Sequence, residues 1–158
     1  MSDIKPIAFI DVDGVLNRIV SNKEAKRRKL SRHHGWSAGL RWPLWLDRED
    51  RGRIERLAEH FDLGWGSTWE DDAYPEVGKP LGLPEFDIIA RTTLEEDSKA
   101  PGVVRAANGR PFVWFDDDID YTDISEYADQ DHKVIIVDPI TGLTDDHIDE
   151  AIEWVKSR

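Results

Sequence analysis

The chain has no cysteine among its 158 residues, so disulfides and thiolate metal sites are excluded and nothing argues for secretion. It has no apolar run long enough to span a bilayer. The N-terminal stretch MSDIKPIAFIDVDG has no signal-peptide anatomy, because its apolar run passes straight into acidic residues. A cytoplasmic protein with no membrane partner is therefore expected. Positive charge is scarce: 21 Lys+Arg against 33 Asp+Glu leave a net charge of −12, a poor generic binder of nucleic acid or anionic membrane. Internal repeats and low-complexity linkers are missing too. One domain over residues 1–158, with enough interior for a core, is expected.

Short apolar runs and helical spacing are what the chain does have. PIAFIDV (6–12), FVWF (112–115) and VIIV (134–137) read as strands, and FDLGWGS (61–67) as a weaker one, because Gly64 and Gly66 lower strand propensity. Runs apolar on both faces suit a parallel sheet covered by helices. Residues 47–61 start at a plausible N-cap, Asp47, and repeat Ile54, Leu57, Ala58 and Phe61 at helical spacing. A second helix is expected from Thr144, with Ile148, Ala151, Ile152 and Val155 on one face, and a third over about 98–107. Strands alternating with helices predict an α/β fold with a mainly parallel sheet.

Residues 18–46 break that alternation. They hold the basic run KEAKRRKLSRHH (23–34) and then GWSAGLRWPLWL with Trp36, Trp42 and Trp45, and read as a flap or hairpin inserted after the first strand. Excursions of this length are often functional, and in open α/β sheets ligands bind at the strands' carboxyl ends. An opposite bias marks the acidic run 116–131.

The chemistry-bearing residues fall at those strand ends. Asp11 and Asp13 close the first strand and, in extended chain, point to the same side. Ser67 and Thr68 close the second, Asp116, Asp117 and Asp118 close FVWF, and Lys99 precedes that strand by one helix. Crowded carboxylates need a cation nearby. An all-oxygen, acid-rich set favours a hard ion, most simply Mg²⁺, and a hydroxyl and an ammonium beside it point to phosphate chemistry.

These motifs resemble the haloacid dehalogenase superfamily, whose members are mostly Mg²⁺-dependent phosphohydrolases. AFIDVDGVL matches its hydrophobic run followed by DxDG, LGWGS the run ending in Ser/Thr, Lys99 the isolated lysine and FVWFDDD the run followed by paired acids. The four occur in the family's order over nearly the whole chain. The resemblance implies a three-layer Rossmann-like fold with a small cap-like flap at about 18–46. It implies that Asp11 attacks phosphorus to form an aspartyl-phosphate and that Asp13 serves as acid and then base. It also implies that Asp11, the backbone carbonyl of Asp13 and a fourth-motif carboxylate hold Mg²⁺, with Asp117 favoured over Asp116, which supports it. Ser67, with Thr68 as competitor, and Lys99, with Lys79 as competitor, would bind the phosphoryl oxygens. Where the family often carries Thr after DxDG, this chain has Val15.

The expected activity is hydrolysis of a phosphate monoester. A nucleotide or polynucleotide end is the alternative substrate, since basic residues Lys23, Lys26, Arg27, Arg28 and Lys29 followed by tryptophans could hold a polyanion and stack on bases. The same cluster also reads as a solvated face. The alternative of another class is a non-catalytic phosphate-binding or interaction module, which the intact set of acids and lysine disfavours.

Overall fold

Alternation along two central strands divides the interior into two layers. In the computed structural model, which describes residues 4–118 and 124–158, β1 (Ile7–Ile10) and β6 (Phe112–Asp116) lie side by side and parallel at the centre of the sheet. Ile7, Phe9, Phe112 and Trp114 face one layer, and Ala8, Ile10, Val113 and Phe115 the other, as the two-residue period requires. Every one of these side chains is fully buried.

The other strands are β4 (Asp62–Trp65), β5 (Ile88–Ile89) and β7 (His132–Ile136). They complete a five-stranded sheet in the order β5-β4-β1-β6-β7, parallel at every pairing. The chain builds outward from β1 to one edge, then returns to build from β6 to the other. The strand order therefore reverses between β1 and β6, where open α/β sheets form a crevice at their carboxyl ends.

Helices cover both faces. On one lie α2 (Asp50–Ala58), through Ile54 and Leu57, and α5 (Asp145–Lys156), through Ile148 and Ala151. On the other, α4 (Ala100–Ala107) packs Ala100, Val103 and Ala107 against Phe9, Phe112 and Trp114. The expected α/β architecture with a mainly parallel sheet is what forms. Thr144 caps α5 as expected, in a capping box closed by His147. Two residues of β5 are too short a run to have been read from sequence.

The helix expected from residue 47 begins at Asp50. Asp47 instead turns its Oδ1 back to accept from the Glu49 N–H at 2.9 Å and pairs with Arg53 at 3.3 Å, so an Asx turn displaces the first helical turn. Behind it, Arg18 is buried against Asp50 and also donates to the carbonyls of Leu16 and Leu143, at 2.9 and 2.8 Å. One guanidinium thus ties the segment after β1 to α2 and to the turn before α5. Asp50 also accepts from Arg53 Nη1 at 2.9 Å, so removing Arg18 would leave this buried carboxylate with one of its two guanidinium partners.

The 18–46 insert is ordered into helix α1 (Asn22–Arg27) and an antiparallel hairpin of β2 (Ser31–Ser37) and β3 (Leu40–Leu46). Leu44 and Leu46 enter the core, and Gly35 lies against Trp69, whose ring would stand 3.0 Å from a Cβ at that position. Trp36 and Trp42 are exposed. Residues 119–123 of the acidic 116–131 stretch lie outside the described residues.

Candidate active site

The carboxyl ends of β1 and β6 carry the site. The Asp11 N–H donates to the Phe115 carbonyl at 3.1 Å, which continues the strand pairing one step past β1 and sets Asp11 beside Asp116. Lys99, immediately before α4, sends its Nζ between them, 3.2 Å from Asp11 Oδ2 and 2.5 Å from Asp116 Oδ2. The other oxygen of each acid is held by backbone: Asp11 Oδ1 accepts from the Val12 N–H at 2.8 Å and Asp116 Oδ1 from the Asp118 N–H at 3.0 Å. Asp11 and Asp116 are both buried.

Asp117 completes the acid cluster. Asp11, Asp116 and Asp117 each offer a carboxylate oxygen within 4.8 Å of the others, a set able to hold a metal ion. Gly14 makes the approach of Asp117 possible. Its φ of +83° suits glycine, and a Cβ there would collide with the Asp117 carboxylate.

Electrostatics follow from crowding in a dry place. Burial pushes the Asp11 carboxyl well above the usual carboxylate range; Lys99 pulls it down, while the neighbouring charge of Asp116 pushes it further up. Asp117 is raised by burial and then by Asp116. Burial works against the charge of Lys99, but Asp11 and Asp116 outweigh it and hold the ammonium above its ordinary value. Three carboxylates crowd around one half-buried ammonium, which pairs with two of them and leaves the set short of positive charge.

Asp13 stands apart from the cluster. Its Oδ1 accepts from Asn17 Nδ2 and its Oδ2 from Trp69 Nε1, both at 2.9 Å, so its carboxylate is not among the three that converge. Ser67 and Thr68 also part company. Ser67 is buried and its Oγ accepts from the Trp69 N–H at 3.1 Å, whereas Thr68 lines the cavity above the acids. That cavity, of about 370 Å³, is walled by Asp11, Asp13, Thr68, Lys99, Asp117 and Asp118, together with Thr92 and the segment 96–98. Lys79, the other lysine weighed from sequence, lines a different cavity.

The basic cluster of α1 does not reach this cavity. Arg28 donates to the carbonyls of Ile140 and Thr141 at 2.7 and 2.8 Å, and Arg27 pairs with Glu24. Asn17, Trp69 and Arg18 are the residues the sequence reading missed. Asn17 closes the DVDGVLN run and Trp69 directly follows Ser67-Thr68, so position alone could have drawn attention to both. Nothing local marks Arg18, whose partner Asp50 is 32 residues away. In comparisons with known proteins, the chain matches no family model, no curated protein and no solved structure.

Proposed function

We propose that this chain is a Mg²⁺-dependent phosphohydrolase of the haloacid dehalogenase type, acting on a phosphate monoester through an aspartyl-phosphate on Asp11. The observation that carries the reading is the convergence of Asp11, Asp116 and Asp117 within 4.8 Å, with Lys99 bridging the first two at the reversal of strand order. The donor set is all oxygen and short of positive charge, which fits a hard divalent cation. Asp11 and Asp117 would hold Mg²⁺, with Asp116 beside them already engaged by Lys99 and the Asp118 N–H. When bound there, Mg²⁺ offsets carboxylate charge and polarises a phosphoryl oxygen.

The chain's own groups account for the remaining steps. An ammonium has three donors; two of Lys99's go to Asp11 and Asp116, and its place in the cavity wall leaves the third for a phosphoryl oxygen. Thr68 offers a hydroxyl from the same wall. Asp11 attacks phosphorus: its O–P bond forms as the ester P–O bond breaks, and the departing oxygen takes the proton of the Asp13 carboxyl. Water then attacks the same phosphorus and gives a proton to Asp13. The Asp11 O–P bond breaks, inorganic phosphate leaves, and both carboxyl groups are restored. Asn17 and Trp69 position the Asp13 carboxyl outside the three-acid cluster.

The test is phosphate release from an activated aryl phosphate with and without Mg²⁺. Turnover that requires the metal and stops in excess chelator is expected. Equal turnover in chelator would remove the metal from the account, and no release from any phosphate ester would remove the reaction.

A further inference from the structure

A second cavity, of about 480 Å³, opens where the start of β2, the start of α2 and the short helix α3 (Lys79–Leu81) meet. It shares no wall residue with the Asp11 cavity. Its wall carries His33, Arg48, Arg51 and Lys79 with the hydroxyl of Ser31, and no carboxylate. In a chain with 33 acidic and 21 basic residues, that lining runs against composition.

The cations are arranged and under-compensated. Arg48 Nε donates to Ser31 Oγ at 3.2 Å, which fixes a guanidinium beside a hydroxyl on one wall. Gly82, with φ +75°, ends α3 and lies against the Arg51 side chain. Among the described residues Arg51 has one ion pair, to Glu55 at 3.2 Å, with both side chains more than half exposed; such a pair is weak. Among the described residues no carboxylate pairs with Arg48 or Lys79. Two guanidinium forks, an ammonium and an imidazole around one concavity match the oxygens of a phosphate group.

We propose that this cleft is a second anion site that takes a phosphate group, separate from the Asp11 cavity. The inference goes beyond hydrolysis and does not depend on it. Two sources share the chemistry: a second phosphate carried by the substrate, and a free phosphate or pyrophosphate acting from outside the reaction.

The test is a backbone-amide NMR titration of the full chain with pyrophosphate at low salt, in the wild type, Lys79→Glu and Arg48→Gln, whose substituted side chains are exposed. Saturable shifts at residues 48–51 and 79–82 are expected. Affinity there should fall about tenfold in each variant, as loss of one charge-assisted contact implies, and should weaken as salt rises. If the phosphate belongs to the substrate, both variants raise KM for a doubly phosphorylated ester and leave KM for an aryl monophosphate unchanged. If it is free, both leave those KM values unchanged and blunt the response of aryl-phosphate turnover to added pyrophosphate. No saturable shift in the two segments, or wild-type affinity in both variants, would overturn the proposal. Absence of hydrolysis would overturn the proposed function and leave this titration intact.

Discussion

The two cavities are opposites in charge. Around Asp11 the wall holds six acids (Asp11, Asp13, Glu96, Asp97, Asp117, Asp118) and one lysine. In the cleft beside α3 it holds two arginines, a lysine and a histidine, with no acid. Asp11 and the neighbouring Asp116 are buried at strand ends, with Asp117 half-buried beside them, so water screens them little and their like charges call for a cation. Most of the basic groups are exposed, where water tolerates uncompensated charge and an anion is held only as firmly as geometry allows.

The largest effect should come from the acid side. Asp11→Asn should lower turnover on the order of 10⁴-fold or more, as expected when a nucleophile is removed, while pyrophosphate binding in the basic cleft stays at its wild-type level. A variant that lost both would break the separation of the two regions. Asp13→Asn should be milder and depend on the leaving group. With an unactivated alkyl phosphate the loss should be about 10²–10⁴-fold, and with an activated aryl phosphate much less, because that leaving group departs without a proton. Equal losses on both substrates would deny Asp13 its role as acid.

Stability offers a third comparison. Saturating Mg²⁺ at about 100 times Kd should stabilise the fold by about 2.7 kcal/mol, raising Tm by several degrees, and chelator should reverse it. Asp11→Asn should lose most of that response. Its metal-free form should be at least as stable as the wild type at neutral pH, since the variant has one fewer buried charge to hold. A Mg²⁺ response of wild-type size in Asp11→Asn would place the metal elsewhere.

The smallest effect is the pH dependence of the metal-free protein. Asp11 and Asp117 have raised values when folded. Their stabilising contribution is therefore full below the ordinary carboxylate value of 3.8 and is lost as pH rises through the raised folded values. Lys99, also raised, contributes in another window, full below 10.5 and lost above it. The difference in Tm between wild type and Asp11→Asn should thus move against the wild type from mildly acidic to neutral pH, and Mg²⁺ should flatten it. A difference that stays constant with pH would contradict the raised Asp11 value.

What could be read from sequence follows the range of the interactions involved. Strands β1, β6 and β7 announce themselves as continuous apolar runs, and α5 by its spacing and its Thr144 cap, because these signals are local. Acids at strand ends could be placed on one edge because parallel strands share a direction. The division of labour between Ser67 and Thr68 could not, since it depends on Ser67 turning to the Trp69 N–H. Nor could the hold of Trp69 on Asp13, which spans 56 residues, or the Arg18–Asp50 pair. The start of α2 was misplaced for a local reason: Asp47 reads equally well as a helix cap and as an Asx turn, and its ion pair with Arg53 favours the turn. The cleft beside α3 joins Ser31, Arg48 and Lys79 from three separate segments, each unremarkable on its own.

The central claim is that Asp11 carries the phosphoryl group during turnover. The most direct test is rapid acid quench of the protein turning over an aryl phosphate with Mg²⁺, followed by peptide mass spectrometry. The account predicts the added mass of one phosphoryl group on the peptide containing Asp11, at the Asp11 side chain, formed and lost at rates compatible with turnover and missing in Asp11→Asn. Steady turnover with that peptide unmodified throughout, or with the phosphoryl group on another residue, would contradict it.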